Sequence, residues 1–581
     1  MESLWNEAEA QALAEDPLAL RVYTSRLLGR NPALVLHGGG NTSVKVTRRT
    51  FLGDLEEVIY IKGSGADLAT IDAAGFSPVR LGVLQRLAGM ERLTDTDIVR
   101  EQRAGMIDPY APNPSVEAIL HAIIPFRFVD HTHADAVVAI TNTPDGPAHI
   151  RRLYGERVLV LPYVMAGFKL ARAVYQATRN IDWSRLEGLI LLNHGLFTFS
   201  DEARQSYEAM ITLVSWAEAF LEERGAFRAV AVSNDSTPPD LAALSRLRRA
   251  VSQAAGYPLL ALLCVTPESR GFASLPEVAS LATQGPLTPD HVSRTKRTAA
   301  IIGADVEAAV AEYVADYKAY FQRNASSEHV MLDPAPRWAV WRGVGTVAFG
   351  RTLQAATVVA DIVRHTIRAI QWAEALGGWR VLSEDHFFDM EYWDLQQAKH
   401  KRASAPPPLT GRVALVTDAA TDIGRACAEA LHAHGAAVVA LDGDARVSGL
   451  FSLPTLQGVA CDLEDQAALS AAVDAVVARY GGLDIVVSRH VQVFQAASRY
   501  LRLGVDPAAI VLAWQGEGEA QAASAAGPGV RMGAVGVGGS PEAPHAASQA
   551  VAAVVCALAG DAFAGAAEAQ VRVGRASVSA R

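Results

Sequence analysis

Three successive prolines, Pro406, Pro407 and Pro408, stand in the stretch KRASAPPPLTG, Lys401 to Gly411. Proline has a fixed φ and no backbone N–H, so such a triplet fits neither a helix interior nor a central strand. It marks a cut in a chain whose 581 residues are too many for one core. Composition changes at the same place: Lys401 is the last lysine, and the 180 residues beyond it are rich in Ala, Val and Gly. The reading is one module over 1–400, a Pro-rich linker over 401–410 and a second module over 411–581. A softer break at SNDSTPPD, 233–240, divides the first module into a core of about 20–225 and an extension over 241–400. The extension reads as mostly helical, with one strand pair near AVWRGVGTVAFG.

Charge and cysteines restrict the partners. The chain has 52 basic against 62 acidic residues, a net −10, which argues against a nucleic-acid binder. The N-terminal MESLWNEAEA has no apolar core of a signal peptide, and the apolar run Ala550 to Ala559 is too short to span a bilayer. Four cysteines lie far apart without a C-x-x-C pair, as expected of reduced thiols in a cytoplasmic protein that uses no membrane.

The chemistry centres on FVDHTHADAVVAITNT, Phe128 to Thr143. Ala136 to Ile140 reads as a buried strand, with His131 and His133 at its entrance. Strand positions i and i+2 share a face, so the two rings could grip one ion. Zinc commonly takes three protein ligands and leaves a fourth position open. His194, in ILLNHGLFTF, is the third candidate. Glu117, in PSVEAILH, lies on a helix leading to the histidine strand, and beside a metal its carboxylate could act as a general base. His121, four residues on, is either a competing ligand or structural. HGGGNTS (37–43) and KGSG (62–65) suit anion cradles or plain tight turns. NHGLFTFSDEARQSYEAMITLVSWAE is echoed by the segment around AVWRGVGTVAFG, an internal duplication in which Arg342 stands where a histidine is expected.

GGGNTS, KGSG, PSVE, HTH, PYVMAGF and NHGLF, in that order over about 20–225, resemble the class II aldolase and adducin family. The whole chain resembles fusions of a rhamnulose-1-phosphate aldolase with a short-chain dehydrogenase, the aldolase part closing at LSEDHFFDMEYWDLQQAK. The resemblance implies an α/β fold whose aldolase part has a mainly antiparallel sheet with helices on both sides. It implies zinc, one per subunit, on His131, His133 and His194, with Glu117 as the acid/base. It implies Asn41, Ser43, Ser64, Gly65 and Ser115 around a substrate phosphate, and Tyr163 brought from a neighbouring subunit for the second proton. A sugar phosphate substrate and a homo-oligomer with sites between subunits follow from the same likeness. Rhamnulose, fuculose and ribulose phosphates are left open.

After the linker, RVALVTDAATDIGRACAEALHAHGAAVVALDGD has the strand–turn–helix–strand order of a Rossmann start and resembles the short-chain dehydrogenases. Their turn reads T-G-x-x-x-G-I-G, with glycines where the backbone meets a diphosphate. Thr417, Ile423 and Gly424 match, whereas Asp418 and Asp422 replace the first two glycines. Asp442 matches a ribose contact and Asp462 an adenine contact. SRHV, 488–491, stands in place of the fourth-strand motif, and GVRMGAVGVGGSPE matches the strand after a catalytic helix. A Tyr-x-x-x-Lys pair is missing, since no lysine follows Lys401. The expectation is a degenerate domain that does not bind NAD tightly. Competing readings are an adducin-like assembly protein, against which the complete histidine set counts, and an active NAD-dependent dehydrogenase.

Overall fold

The computed structural model describes residues 1–232, 239–394, 405–514, 526, 529–537, 545–560, 568–573 and 577–580. The break at 233–238, the residues 395–404 that include the start of the linker, and 538–542 of GVRMGAVGVGGSPE lie outside these. The chain forms two compact units. The first comprises Met1–Val230, Ala279–Thr298 and Arg364–Arg402, and the second Ala231–Val278, Ala299–Val363 and Ala403–Arg581.

The first unit is built on seven strands: β1 (Asn41–Arg49), β2 (Leu55–Lys62), β3 (Phe76–Arg80), β4 (Phe128–Thr132), β5 (Val158–Leu161), β6 (Gly188–Leu191) and β7 (Gly195–Ser200). Their order is β3-β2-β1-β4-β7-β6-β5. Five of the six pairings are antiparallel and β5–β6 is parallel, so the sheet is mixed. Central β4, FVDHT, is buried along its whole length. Its side chains alternate between the faces. Val129 joins Leu120, Leu170, Val174 and Phe197 in a core with the helices Ala118–Ile123 and Phe168–Thr178. Asp130 points the other way. It meets Arg21 of the helix Pro17–Gly29 at 2.5 Å and accepts a hydrogen bond from Ser206 of the helix Ala203–Glu223.

The strand expected at Ala136–Ile140 is instead a buried helix, Asp135–Thr141, and the strand lies before it. A short, uniformly apolar run has no period to distinguish the two forms. The echo between the two strand–turn–strand–helix stretches is real in local structure. Gly188–Leu191, Gly195–Ser200 and Ala203–Glu223 repeat as Trp338–Trp341, Gly345–Gly350 and Leu353–Ala375. Both turns hold three residues with a left-handed middle one, Asn193 (φ 59°) and Gly343 (φ 70°). The equivalent of His194 is therefore Val344, and Arg342 answers to Leu192.

The second unit contains more strand than one pair. β8 (Leu260–Cys264), β9 (Ala300–Ile302), β10 (Trp338–Trp341) and β11 (Gly345–Gly350) form a sheet in the order β8-β11-β10-β9. A further sheet contains β12 (Val413–Val416), β13 (Ala437–Asp442), β14 (Ser452–Leu453), β15 (Leu456–Ala460), β16 (Ile485–Ser488), β17 (Ala508–Trp514), β18 (Arg531–Val537), β19 (Glu568–Val573) and β20 (Ser577–Ala580). It runs β14-β15-β13-β12-β16-β17-β18-β19-β20, parallel from β15 to β19, with the helix Asp422–Ala433 after the first of its strands. The reversal between β12 and β16 is the switch point of a doubly wound sheet. Within this unit Arg248 meets Asp484 at 2.5 Å and donates to the carbonyls of Leu259 and Gly411. The described end of the linker belongs to this fold: Leu409 is buried and its N–H donates to the carbonyl of His434. Among the described residues no helix is long and apolar enough to cross a membrane.

Removing one partner of a buried ion pair strands the other charge, at a cost of about 3–5 kcal/mol. Asp130→Ala is expected to lower unfolding free energy by about that amount, and a urea or guanidinium titration measures it.

Candidate metal centre and active site

β4 runs antiparallel to both of its neighbours, so its end meets the beginnings of β1 and β7. Asn41 pairs with His131 and Leu196 with Thr132. His194 closes the turn before β7, its N–H bonded to the carbonyl of Leu191. His131, His133 and His194 are all buried, and one ligand nitrogen from each lies within 4.8 Å of the others. The Nε2 atoms of His131 and His133 are 3.1 Å apart. The ring of His131 stacks on Phe197, and its Nδ1–H donates to the carbonyl of Leu196 at 3.0 Å. That bond leaves the Nε2 lone pair free, the usual arrangement for a metal-binding imidazole. Burial, reinforced by His194, pushes the His131 ring down to about 3, so it is neutral at neutral pH. Burial lowers His133 well below its ordinary range too. Gly195 is required here: a Cβ would lie 2.3 Å from the carbonyl oxygen of Thr132 and 3.1 Å from both His131 and His133.

Glu117 precedes the helix Ala118–Ile123 as its cap residue and does not lie within it. Its Oε2 is 3.6 Å from His131 Nε2 and its Oε1 3.6 Å from His194 Nε2. Asn41 Nδ2 donates to Glu117 Oε2 at 2.5 Å and to Ser115 Oγ at 3.2 Å. Glu117 Oε1 is buried with no hydrogen-bond donor among the described residues. A buried carboxylate oxygen beside this group of imidazoles fits a cation, because burying it unpaired is costly.

His121 stands outside the trio. Its Nε2 donates to Asn41 Oδ1 and its Nδ1 accepts from Ser43 Oγ at 2.9 Å. Ser43 is thereby committed to the network that orients Asn41. The small-residue loops do come together, through the lysine that opens KGSG, which was not among the candidate site residues. Buried Lys62 donates at 2.7 Å to the carbonyls of both Gly38 and Ala66. Ser115 N–H donates to the Lys62 carbonyl and Ser64 N–H to that of Asn113. Ser64 is half-buried and Gly65, with φ 86°, is exposed beside it. Tyr163 has a buried hydroxyl with no hydrogen-bond partner among the described residues, and its ring lies 5.1 Å from that of His386. Burial, with Asp290 and Asp389 nearby, raises this phenol, which stays protonated. Two further contacts went unread in the sequence. Asp135 pairs with His365, and Asp290 Oδ2 lies 3.6 Å from His133 Nε2. Both join positions more than 150 residues apart, a separation no local motif spans.

Three families match the sequence. Residues 20–221 match the class II aldolase and adducin N-terminal domain, and 239–400 the second domain of class II aldolases. Residues 419–540 match the family described as enoyl-(acyl carrier protein) reductase. The N-terminal class II aldolase domain of a conserved protein from Thermoplasma acidophilum is 39% identical over 38% of this chain and 99% of its own length, with a TM-score of 0.35. The chain belongs to the class II aldolase and adducin family. Its aldolase domains are joined to a C-terminal short-chain dehydrogenase-like domain. The uncharacterized oxidoreductase YuxG of Bacillus subtilis (strain 168) is 29% identical over 513 residues, covering 84% of this chain and 74% of that protein. The dehydrogenase-like domain is 41% identical over 86 residues to D-threitol dehydrogenase of Mycolicibacterium smegmatis (strain ATCC 700084 / mc(2)155), a third of that enzyme's length.

The turn of this dehydrogenase-like domain is filled from within. Asp418 takes φ 53°, a left-handed conformation that aspartate tolerates. Its Oδ1 accepts from Arg489 at 2.9 Å and from His490 at 3.1 Å. Thr417 bonds Ser488 at 2.8 Å, and Asp442 accepts the N–H of Ala420 at 2.9 Å. Asp422 and Asp462 are exposed, and Ile423 is buried. Gly424 is needed for packing, since a Cβ would lie 2.2 Å from the carbonyl oxygen of Asp418.

The depressed imidazoles of the aldolase domain set a pH dependence. The unfolded chain protonates His131 near 6.5, whereas the folded chain refuses the proton until about 3. Burial likewise brings His291 to about 4. Below 6.5 the unfolded state binds more protons, so the metal-stripped protein should lose stability as pH falls from 6.5 toward 3. Its denaturation midpoint should be lower at about pH 5 than at about pH 7.5, and equal midpoints would contradict the assignment.

Proposed function

We propose that the aldolase domains cleave a ketose 1-phosphate of the rhamnulose type to glycerone phosphate and a hydroxyaldehyde, using one zinc per subunit on His131, His133 and His194. The observation that supports this reading is the convergence of three buried imidazoles beside Glu117, whose buried Oε1 has no donor among the described residues. When bound, the cation supplies Lewis-acid stabilisation of the charge that grows on the ketose oxygens. The chain's own groups do the rest. Glu117, oriented as a carboxylate by Asn41, takes the proton of the C4 hydroxyl as the C3–C4 bond breaks and the aldehyde forms; the electron pair left at C3 then takes that proton back from Glu117. Tyr163, a protonated phenol, hydrogen-bonds the C4 oxygen. Asn41, Ser64, Gly65 and Ser115, on loops tied by Lys62, receive the phosphate, and the active form is a homo-oligomer.

Metal analysis with an aldol-cleavage panel of ketose 1-phosphates tests the reading. Glu117→Gln should retain metal and slow cleavage by about 100-fold or more, the general acid–base scale. Unchanged turnover would move the proton transfer to another group.

A redox reading is favoured by the description of YuxG as an oxidoreductase and by the match over 419–540. Against it stand the Asp418 carboxylate in the phosphate turn, the engagement of Asp442 by Ala420 and the missing lysine. The C-terminal domain is expected not to bind NAD or NADH tightly and not to oxidise the aldehyde product. Calorimetric titration with both nucleotides and an oxidation assay check this; micromolar binding with turnover would establish the oxidoreductase instead.

A further inference from the structure

We infer that Asp290 is an oxygen ligand of the metal centre, supplied from outside the aldolase N-terminal domain. The inference rests on the proposed reading of the histidine trio as a metal site. Asp290 lies in the 3-10 turn Pro289–His291, within 279–298 of the first unit. Its Oδ2 is 3.6 Å from Nε2 of His133, on the ring nitrogen that faces His131 Nε2. Adjacent ligands bound at about 2.0–2.2 Å to one cation of four or five ligands, five being needed to keep a position for the ketose, lie roughly 3–3.7 Å apart. The separations of Glu117 from His131 and His194 and of Asp290 from His133 are all 3.6 Å. The three histidines thus have a carboxylate oxygen at ligand spacing on each of their Nε2 atoms: Glu117 serves two and Asp290 the third.

Besides the histidines of the centre, the neighbouring His291 also acts on the Asp290 carboxylate, but only electrostatically. The turn's capping residue, Thr288, makes no side-chain cap bond, and no described residue donates a hydrogen bond to either Asp290 oxygen; only its backbone carbonyl accepts, from Ser293 Oγ. A half-exposed aspartate with this freedom would ordinarily turn to water. Here it turns to His133, at 3.6 Å, beyond the reach of a hydrogen bond. A cation between them accounts for the orientation. The turn is held independently of any metal, because Asn142, at the end of the helix that follows His133, donates to the carbonyl of Leu287 at 2.8 Å.

The test uses the full chain stripped of metal and titrated with zinc against a chromophoric chelator. Wild type should bind one equivalent and His133→Ala should lose it. Asp290→Ala and Asp290→Asn should each weaken zinc by at least about 10-fold, the scale of losing a supporting group at a metal site. Asp290→Glu should recover part of the affinity. The cobalt-substituted proteins give a second readout, since losing an oxygen ligand alters the visible absorption band. Equal metal-free melting temperatures confirm that the variants fold. If wild type binds zinc, His133→Ala does not, and both Asp290 variants bind as wild type with an unchanged cobalt spectrum, the inference is overturned while the histidine site stands. If wild type binds no divalent metal, both fall together.

Discussion

The buried ion pair between Arg21 and Asp130 fixes how β4 lies in its sheet, and everything at the metal centre inherits that choice. Both side chains are fully buried, with Ser206 also donating to Asp130. Asp130 and His131 are neighbours, so they occupy opposite faces of the strand. A slip of one residue would bring a histidine to Arg21 and a carboxylate to the site. The pair is therefore a register lock as much as a stabilising contact. Because β4 is antiparallel to both β1 and β7, fixing it also aligns Asn41 and the His194 turn with its end.

Orientation of the acid follows a relay of buried hydrogen bonds. Ser43 donates to His121, His121 to Asn41, and Asn41 to Glu117. Each group has only one consistent donor and acceptor assignment, since the Glu117 oxygen can only accept when ionised. Such a network loses its orientation if any member is removed. This places His121 in the site's support, although its spacing alone allowed a ligand role. Lys62 acts in the same spirit on the backbone, binding carbonyls from two loops with one ammonium group.

Much of this was legible in the sequence because it is carried by short motifs. The HTH and NHG histidines, the Glu117 motif and the glycine loops are contiguous words, and the fold brings them to one place. What was not legible has physical reasons. Ala136–Ile140 is buried on all sides, so helix and strand leave the same apolar signature. Asp290 reaches His133, and His365 reaches Asp135, from distant segments, and nothing near them in sequence points to a partner. β8 and β9 escaped notice because each is short and sits among helices. The apparent loss of histidine at Arg342 was an alignment matter. Matching the left-handed residues Asn193 and Gly343 moves the comparison to Val344.

Gly424 shows that glycines in one turn are not equally replaceable. At 418 the left-handed backbone accommodates aspartate, and the side chain there meets Arg489 and His490. At 422 the side chain points into solvent. At 424 a single methyl group would collide with the main chain of the preceding strand end. The first two positions answer to whatever approaches the turn from outside, and the third answers to the protein itself. Drift at such a turn is thus sorted by geometry: residues that serve a visitor can change while the domain still folds, and the residue that seats the helix cannot.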